Sequence, residues 1–140
     1  MLILSIETSC DETAISLVRA DGEFPNATYE ILGDGLWSQV DVHAEYGGVF
    51  PALAKREHAR TLVPMLQQAS IESGLLEDHS ADLSDADVAK LHNLLEREEG
   101  LADSLIAFFK EHSLPKIDLI AVTSGPGLEP ALWVGLSFAK

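Results

Sequence analysis

An α/β fold is predicted, built from a three-stranded antiparallel meander, one further parallel strand and helices packed on the sheet. Three observations carry this expectation. Two short runs rich in β-branched residues, Leu2-Ile3-Leu4 with Ile6 and Ala14-Ile15 with Leu17-Val18, flank a polar turn and read as a hairpin. From Pro51 onward, apolar residues recur at helical spacing. Near the end, the almost continuous apolar run Ile117–Val122 precedes a Gly-rich turn and another helical pattern, as expected of a buried parallel strand leading into a helix.

The hairpin tip, Glu7-Thr8-Ser9-Cys10-Asp11-Glu12-Thr13, is dense in hydroxyls and carboxylates. Successive N–H groups of such a turn can cradle an anion, and Thr8, Ser9 and Thr13 add hydroxyl donors. Asp11 and Glu12 can hold a cation or orient a nucleophile. Asp21-Gly22 closes the second strand and Pro25-Asn26 continues the loop. Thr28–Leu32 and Leu36–Val40 read as a third strand, interrupted by a bulge or bend at Gly33-Asp34-Gly35. After the Gly47-Gly48 loop, Pro51 suits a first helical position, with Leu53, Ala54, His58, Thr61 and Leu62 on one face. Pro64 predicts a kink or restart; Met65, Leu66, Ala69 and Ile71 carry the face to a cap at Gly74. Ser84 and Asp87 form a capping-box start, and Val88, Leu91, Leu94 and Leu95 follow at helical spacing. Gly100 breaks that pattern, and Leu101, Leu105, Ile106, Phe108 and Phe109 resume it before Pro115. Thr123-Ser124-Gly125-Pro126-Gly127 then opens onto the closing helix, a strand–turn–helix junction suited to an anion.

The 140 residues suffice for one domain with a core. The single Cys10 excludes an intramolecular disulfide framework and fits a reducing compartment. A start that leads straight into a strand predicts a cytoplasmic protein, with no membrane association. The net charge of −14 argues against a nucleic-acid grip by this chain alone, since phosphate neutralisation needs clustered Lys and Arg. The charge is uneven: residues 72–111 hold eleven acids and three bases. An apolar helical pattern reaching Lys140 without a stop signal predicts a longer full-length protein. No His-Glu-x-x-His or comparable ligand spacing appears, and no local His activates Cys10.

The stretch Ile6–Thr13 resembles the start of the universal tRNA threonylcarbamoyl transferases, the TsaD family, and more broadly the first phosphate-binding hairpin of the actin-like ATPase superfamily. Gln39–His58, with His43-Ala44-Glu45-Tyr46-Gly47-Gly48 at its centre, and Thr123–Leu128 resemble the same family in the same order. The resemblance implies that residues 1–140 are the first, ribonuclease-H-like sub-domain of an actin-like pair, incomplete at its C-terminus. It further implies transfer of threonylcarbamoyl from threonylcarbamoyl-AMP to N6 of the tRNA adenosine adjacent to the anticodon. Asp11 would orient or deprotonate the incoming amine, with Glu12 in support. Thr8, Ser9 and Cys10, together with Gly125 and Gly127, would line the phosphate and carbamoyl pocket. His43, Arg56 and His58 would lie on a tRNA- or partner-facing side. One divalent metal ion, iron or zinc, is implied, with its ligands outside this chain. A TsaB-like paralogous subunit and an accessory ATPase subunit are the implied partners. With only one wall of the cleft present, the chain alone is expected to be inactive.

One departure from the resembled family lies between these motifs. Residues 76–116 intervene where a short connection is usual, and read as an acidic helical-hairpin insertion of two amphipathic helices, either an embellishment or lengthened family helix or a partner-docking element. Three other classes compete with the transferase. A non-catalytic TsaB-like scaffold fits Cys10-Asp11-Glu12 and Leu128-Glu129-Pro130 less well. An actin-like kinase would favour Asp where Glu7 stands, and a metalloprotease lacks its zinc-hydrolase helix.

Overall fold

The structure, a computed structural model, describes residues 1–23 and 25–140. β1 (Leu2–Glu7), β2 (Glu12–Asp21) and β3 (Thr28–Ser38) form the expected antiparallel meander, and β4 (Leu119–Val122) pairs parallel to β1. The sheet order is β3-β2-β1-β4. Because strand side chains alternate between faces, Leu4 opposite Leu17 and Ile6 opposite Ile15 bury together on one side. Ser5 opposite Ser16 and Glu7 opposite Ala14 occupy the other side, where they line an open groove of about 300 Å³ with Ala121 and Thr123. β4 is an edge strand whose Leu119 and Ile120 are exposed. The expected pairing is present, but the expected burial is not, because no further strand or helix covers that edge among the described residues.

β3 is continuous rather than broken at its glycines. Leu17 faces Gly33 while Val18 faces Ile31, so Leu32 is the extra residue of a bulge. The glycines serve a different purpose. A Cβ on Gly33 would lie 2.3 Å from the Ala69 carbonyl oxygen, and one on Gly35 would lie 2.6 Å from that of Met65. Their bare backbone lets α2 (Pro51–Ser73) settle directly on the strand. The turn of helix α1 (Val40–Ala44) was not legible in the sequence, which places Val40 in a strand and His43 in a loop.

Pro51 occupies the first turn of α2 and Gly74 caps its end in the left-handed conformation (φ 68°). The helix runs through Pro64 without restarting. A proline there costs about 3 kcal/mol. Burying Leu62, Val63, Met65 and Leu66 on either side returns about 1.5–3 kcal/mol each, which outweighs it. Ile71 lies outside the buried face and is 60% exposed.

Segment 76–116 folds as α3 (Asp85–Leu94) and α4 (Leu101–Glu111), closed at its base by an antiparallel bridge between Glu77 and Ser113. The Ser84–Asp87 capping box forms as expected, and Gly100 (φ 75°) precedes α4. The two helices differ in role. α3 has no buried residue, whereas α4 buries Leu101, Ala102, Leu105, Ile106 and Phe108. Leu95, Leu101, Leu105 and Phe108 share one core with Leu62, Leu66 and Val134 of α5 (Glu129–Phe138). α4 therefore forms a wall of the core, while α3 packs only its partly buried Leu91 and Leu94 against it. Among the described residues, no helix is long and apolar enough to cross a membrane.

Candidate active site

The sequence-predicted residues converge at one end of the sheet, around residues 7–12. Glu7 ends β1 and accepts hydrogen bonds from the Ser9 N–H and the Thr123 hydroxyl. Burial raises its carboxyl pKa, but those bonds outweigh burial and hold the group below the usual carboxylate range. This carboxylate ties the hairpin tip to the Gly-rich turn across 116 residues of chain.

Three successive carbonyls of the tip are each held by a different element. Ser9 O accepts from the Leu128 N–H at 2.7 Å, and Asp11 O accepts from the Gln39 N–H at 2.8 Å. Cys10 O accepts from His58 Nε2 at 3.1 Å. In a trans peptide the N–H points opposite to its carbonyl, so the Cys10, Asp11 and Glu12 N–H groups turn away from these three donors. The Gly-rich turn can sit this close because it lacks side chains: a Cβ on Gly127 would stand 2.6 Å from Ser9 O. Thr8 is buried and points inward, donating to Ala131 O at 2.9 Å and accepting from the Gly135 N–H at 3.1 Å.

Behind the tip lies a buried polar network. His43 Nε2 meets Gln39 Oε1 at 3.0 Å, and Gln39 Nε2 meets His58 Nδ1 at 3.2 Å. Thr13 Oγ1 reaches His58 Nδ1 at 2.7 Å and Thr61 Oγ1 at 2.8 Å. Cys10 O can only accept, so His58 carries its proton on Nε2 and accepts at Nδ1; the partners assign this tautomer. Burial holds the His58 imidazole below its ordinary range, against the raising influence of Cys10 O and Glu7. Burial and the neighbouring Asp11 push the Cys10 thiol up, away from a reactive thiolate.

The tip and the Gly-rich turn are thus held together as one unit. Residues 30–81 match the family model described as TsaD: tRNA N6-adenosine threonylcarbamoyltransferase. Proteins of that name from Polynucleobacter necessarius and Trichlorobacter lovleyi are 37% and 39% identical, over 100% of this chain and 29% and 28% of their own lengths. The protein of that name from Koribacter versatilis is 37% identical over 99% of this chain and 25% of its own. Along its whole length the chain is similar to proteins of the TsaD family. It spans under a third of the length of the curated relatives it matches.

Of the residues singled out in the sequence, Ser9 lies against Gly127 and Leu128, Thr8 is buried against α5, and Asp11 is half-buried with Glu12 exposed. His43 and His58 do not reach the surface; they are 3% and 0% exposed, and of the three residues assigned to a tRNA- or partner-facing side only Arg56 is exposed. Their burial follows from the network above, which occupies every polar atom of the His58 ring. Sequence reasoning did not join Gln39, Thr13 and Thr61 to the histidines as one buried network. Thr13 carried a signal, since it shares the inward phase of Ile15 and Leu17 and so is a polar residue at a core position.

The depressed His58 gives stability a defined pH dependence. Above pH 6.5 the ring is neutral in both folded and unfolded chains, and its contribution is flat. Below 6.5 the unfolded chain takes up a proton that the folded chain refuses, so stability falls. Glu7 acts in the same direction at lower pH, its contribution being lost as pH drops below 4.5. Urea midpoints of the full-length protein should be level from pH 8 to 7 and decline by pH 5.5. A midpoint independent of pH across that range contradicts the assignment.

Proposed function

We propose that this chain forms one wall of the active site of a tRNA N6-adenosine threonylcarbamoyltransferase and contains its first actin-like sub-domain. The observation that carries the reading is the hairpin tip held against the Gly-rich turn, in a chain whose likeness to the named transferases spans both elements. The reaction joins the N6 amine of the tRNA adenosine beside the anticodon to the carbamoyl carbon of threonylcarbamoyl-AMP. The carbon–oxygen bond to phosphate breaks, AMP leaves with the electron pair, and the amine gives up a proton. Asp11 orients the amine and accepts that proton, with Glu12 in support. The backbone of Ser9 and Cys10, with Gly125 and Gly127, lines the phosphate and carbamoyl pocket, where fixed N–H dipoles offset developing negative charge. Thr8 acts indirectly, by fastening the tip to α5.

Among the described residues, no three or more His, Cys, Asp or Glu side chains converge for a metal ion. We place the ligands of a divalent iron or zinc ion elsewhere in the full-length protein, and no step assigned to Asp11 or Glu12 runs through it. Arg56 contributes to a tRNA- or partner-facing surface, a TsaB-like subunit and an accessory ATPase complete the assembly, and the protein works in the cytoplasm. The isolated chain, lacking the opposite wall, is inactive. The test is expression of the full-length protein in a strain depleted of its own transferase, with nucleoside mass spectrometry of tRNA. Restoration of threonylcarbamoyladenosine is expected. Purified full-length protein that fails to transfer from threonylcarbamoyl-AMP, yet supports a paralogue that does, would instead mark a scaffold.

A further inference from the structure

The three clamps on the tip are not equivalent. Leu128 and Gln39 donate main-chain N–H groups, which any sequence adopting this backbone supplies. The clamp on Cys10 O alone depends on a side chain, His58. That ring is fully buried and costly to keep polar, since an apolar residue of similar volume would need no partners. Its orientation is nevertheless fixed from several directions: Thr13 and Gln39 meet Nδ1, and His43 in turn holds the Gln39 amide. His43 receives the Phe50 N–H on its remaining nitrogen at 3.4 Å, so the relay starts on the loop that leads into α2.

We propose that His58 is a positioning residue: oriented by Gln39, His43 and Thr13, its Nε2–H fixes the Cys10–Asp11 peptide. This sets the direction of the Asp11 N–H and the Asp11 side chain toward the threonylcarbamoyl-AMP pocket. The inference rests on the function proposed above and adds a residue that never touches substrate. Without the Nε2–H donor, the Cys10–Asp11 peptide is free to rotate between two clamps that persist. Misplacement of a reacting group by about 1 Å can cost about a hundredfold in rate.

The test uses the full-length enzyme and the variants His58→Phe, His58→Gln and Gln39→Met in a reconstituted transfer reaction. Melting temperature and amide hydrogen exchange over residues 8–13 are measured alongside. H58F keeps an aromatic ring but no donor, H58Q restores an N–H donor, and Q39M removes the support of the ring while leaving the backbone clamp. In H58F, kcat/KM for threonylcarbamoyl-AMP should fall by about tenfold or more, with the KM for tRNA unchanged and exchange at 8–13 accelerated. H58Q should recover part of that loss, and Q39M should show a smaller loss of the same kind. A folded H58F with wild-type kinetics and wild-type exchange overturns the proposal. If H58F does not fold, Q39M decides: unchanged adenylate kinetics and exchange overturn it. A wild-type enzyme that transfers nothing to tRNA refutes the proposed function instead. The exchange data then judge the clamp alone, and unaltered protection at 8–13 in folded H58F overturns it.

Discussion

Replacing Asp11 by Ala in the full-length protein is expected to lower threonylcarbamoyl transfer by about 10²–10⁴-fold, the usual contribution of a positioned acid–base group. Stability should stay within about 0.5 kcal/mol of wild type, as for substitutions away from core packing and caps. The two expectations separate because of how Asp11 is held. Its place in the fold depends on its main-chain oxygen, which accepts from the Gln39 N–H, and this bond survives any change of side chain. The side chain is half-buried on the tip and packs no part of the core. Nucleoside mass spectrometry of tRNA from a complemented strain, with thermal unfolding of the purified variant, checks both halves. Asp11→Asn refines the role: it keeps the shape and loses the base, so retained activity in D11N would assign orientation rather than proton acceptance. Wild-type modification in D11A would remove Asp11 from the mechanism.

Local signals in the sequence proved dependable where one or two residues dictate geometry. The alternation of Leu4 and Ile6 with Ile15 and Leu17 set the hairpin and its inward face. Gly74 ended α2 and the Ser84–Asp87 capping box began α3, because both act through short-range hydrogen bonds. What escaped reading depended on contacts between distant parts of the chain. Pro64 argued locally for a break, yet burial on both sides of it keeps α2 whole. Gly33 and Gly35 look like a strand interruption until α2 is seen lying on them. The spacing of His58 puts it on the apolar face of α2 while the resemblance turns it toward tRNA or a partner, and only Cys10, Thr13 and Gln39, up to 48 positions away, account for its burial. The candidate site was legible as a set of residues and not as a structure. Asp11, Ser9 and Gly127 stand out by type, whereas the donors that hold their backbone carry no local signature.

The acidic segment 76–116 gives the second large effect, on folding rather than on chemistry. It holds none of the residues assigned to the transfer, so the rate per folded molecule should survive changes within it. Its stability contribution is another matter. Replacing the whole segment by a short Gly/Ser loop strips Leu101, Leu105 and Phe108 from the core they share with α2, where each contributes about 1.5–3 kcal/mol by burial. It also removes the buried Glu98, whose carboxylate lies 3.0 Å from Lys55 of α2. Even with the ordering entropy of the segment no longer spent, that loss is comparable with the whole stability of a typical domain, about 5–15 kcal/mol. The loop-replaced full-length protein should therefore accumulate poorly and unfold at markedly lower urea. Leu105→Ala isolates the cause without removing the chain, and should cost about 2–5 kcal/mol while leaving transfer per folded molecule unchanged. Substitutions on the exposed side of α3, such as Asp85→Ser, should leave the midpoint where it is, since no residue of that helix is buried. Equal urea midpoints for wild type and L105A would show that α4 is not part of the core that supports the hairpin.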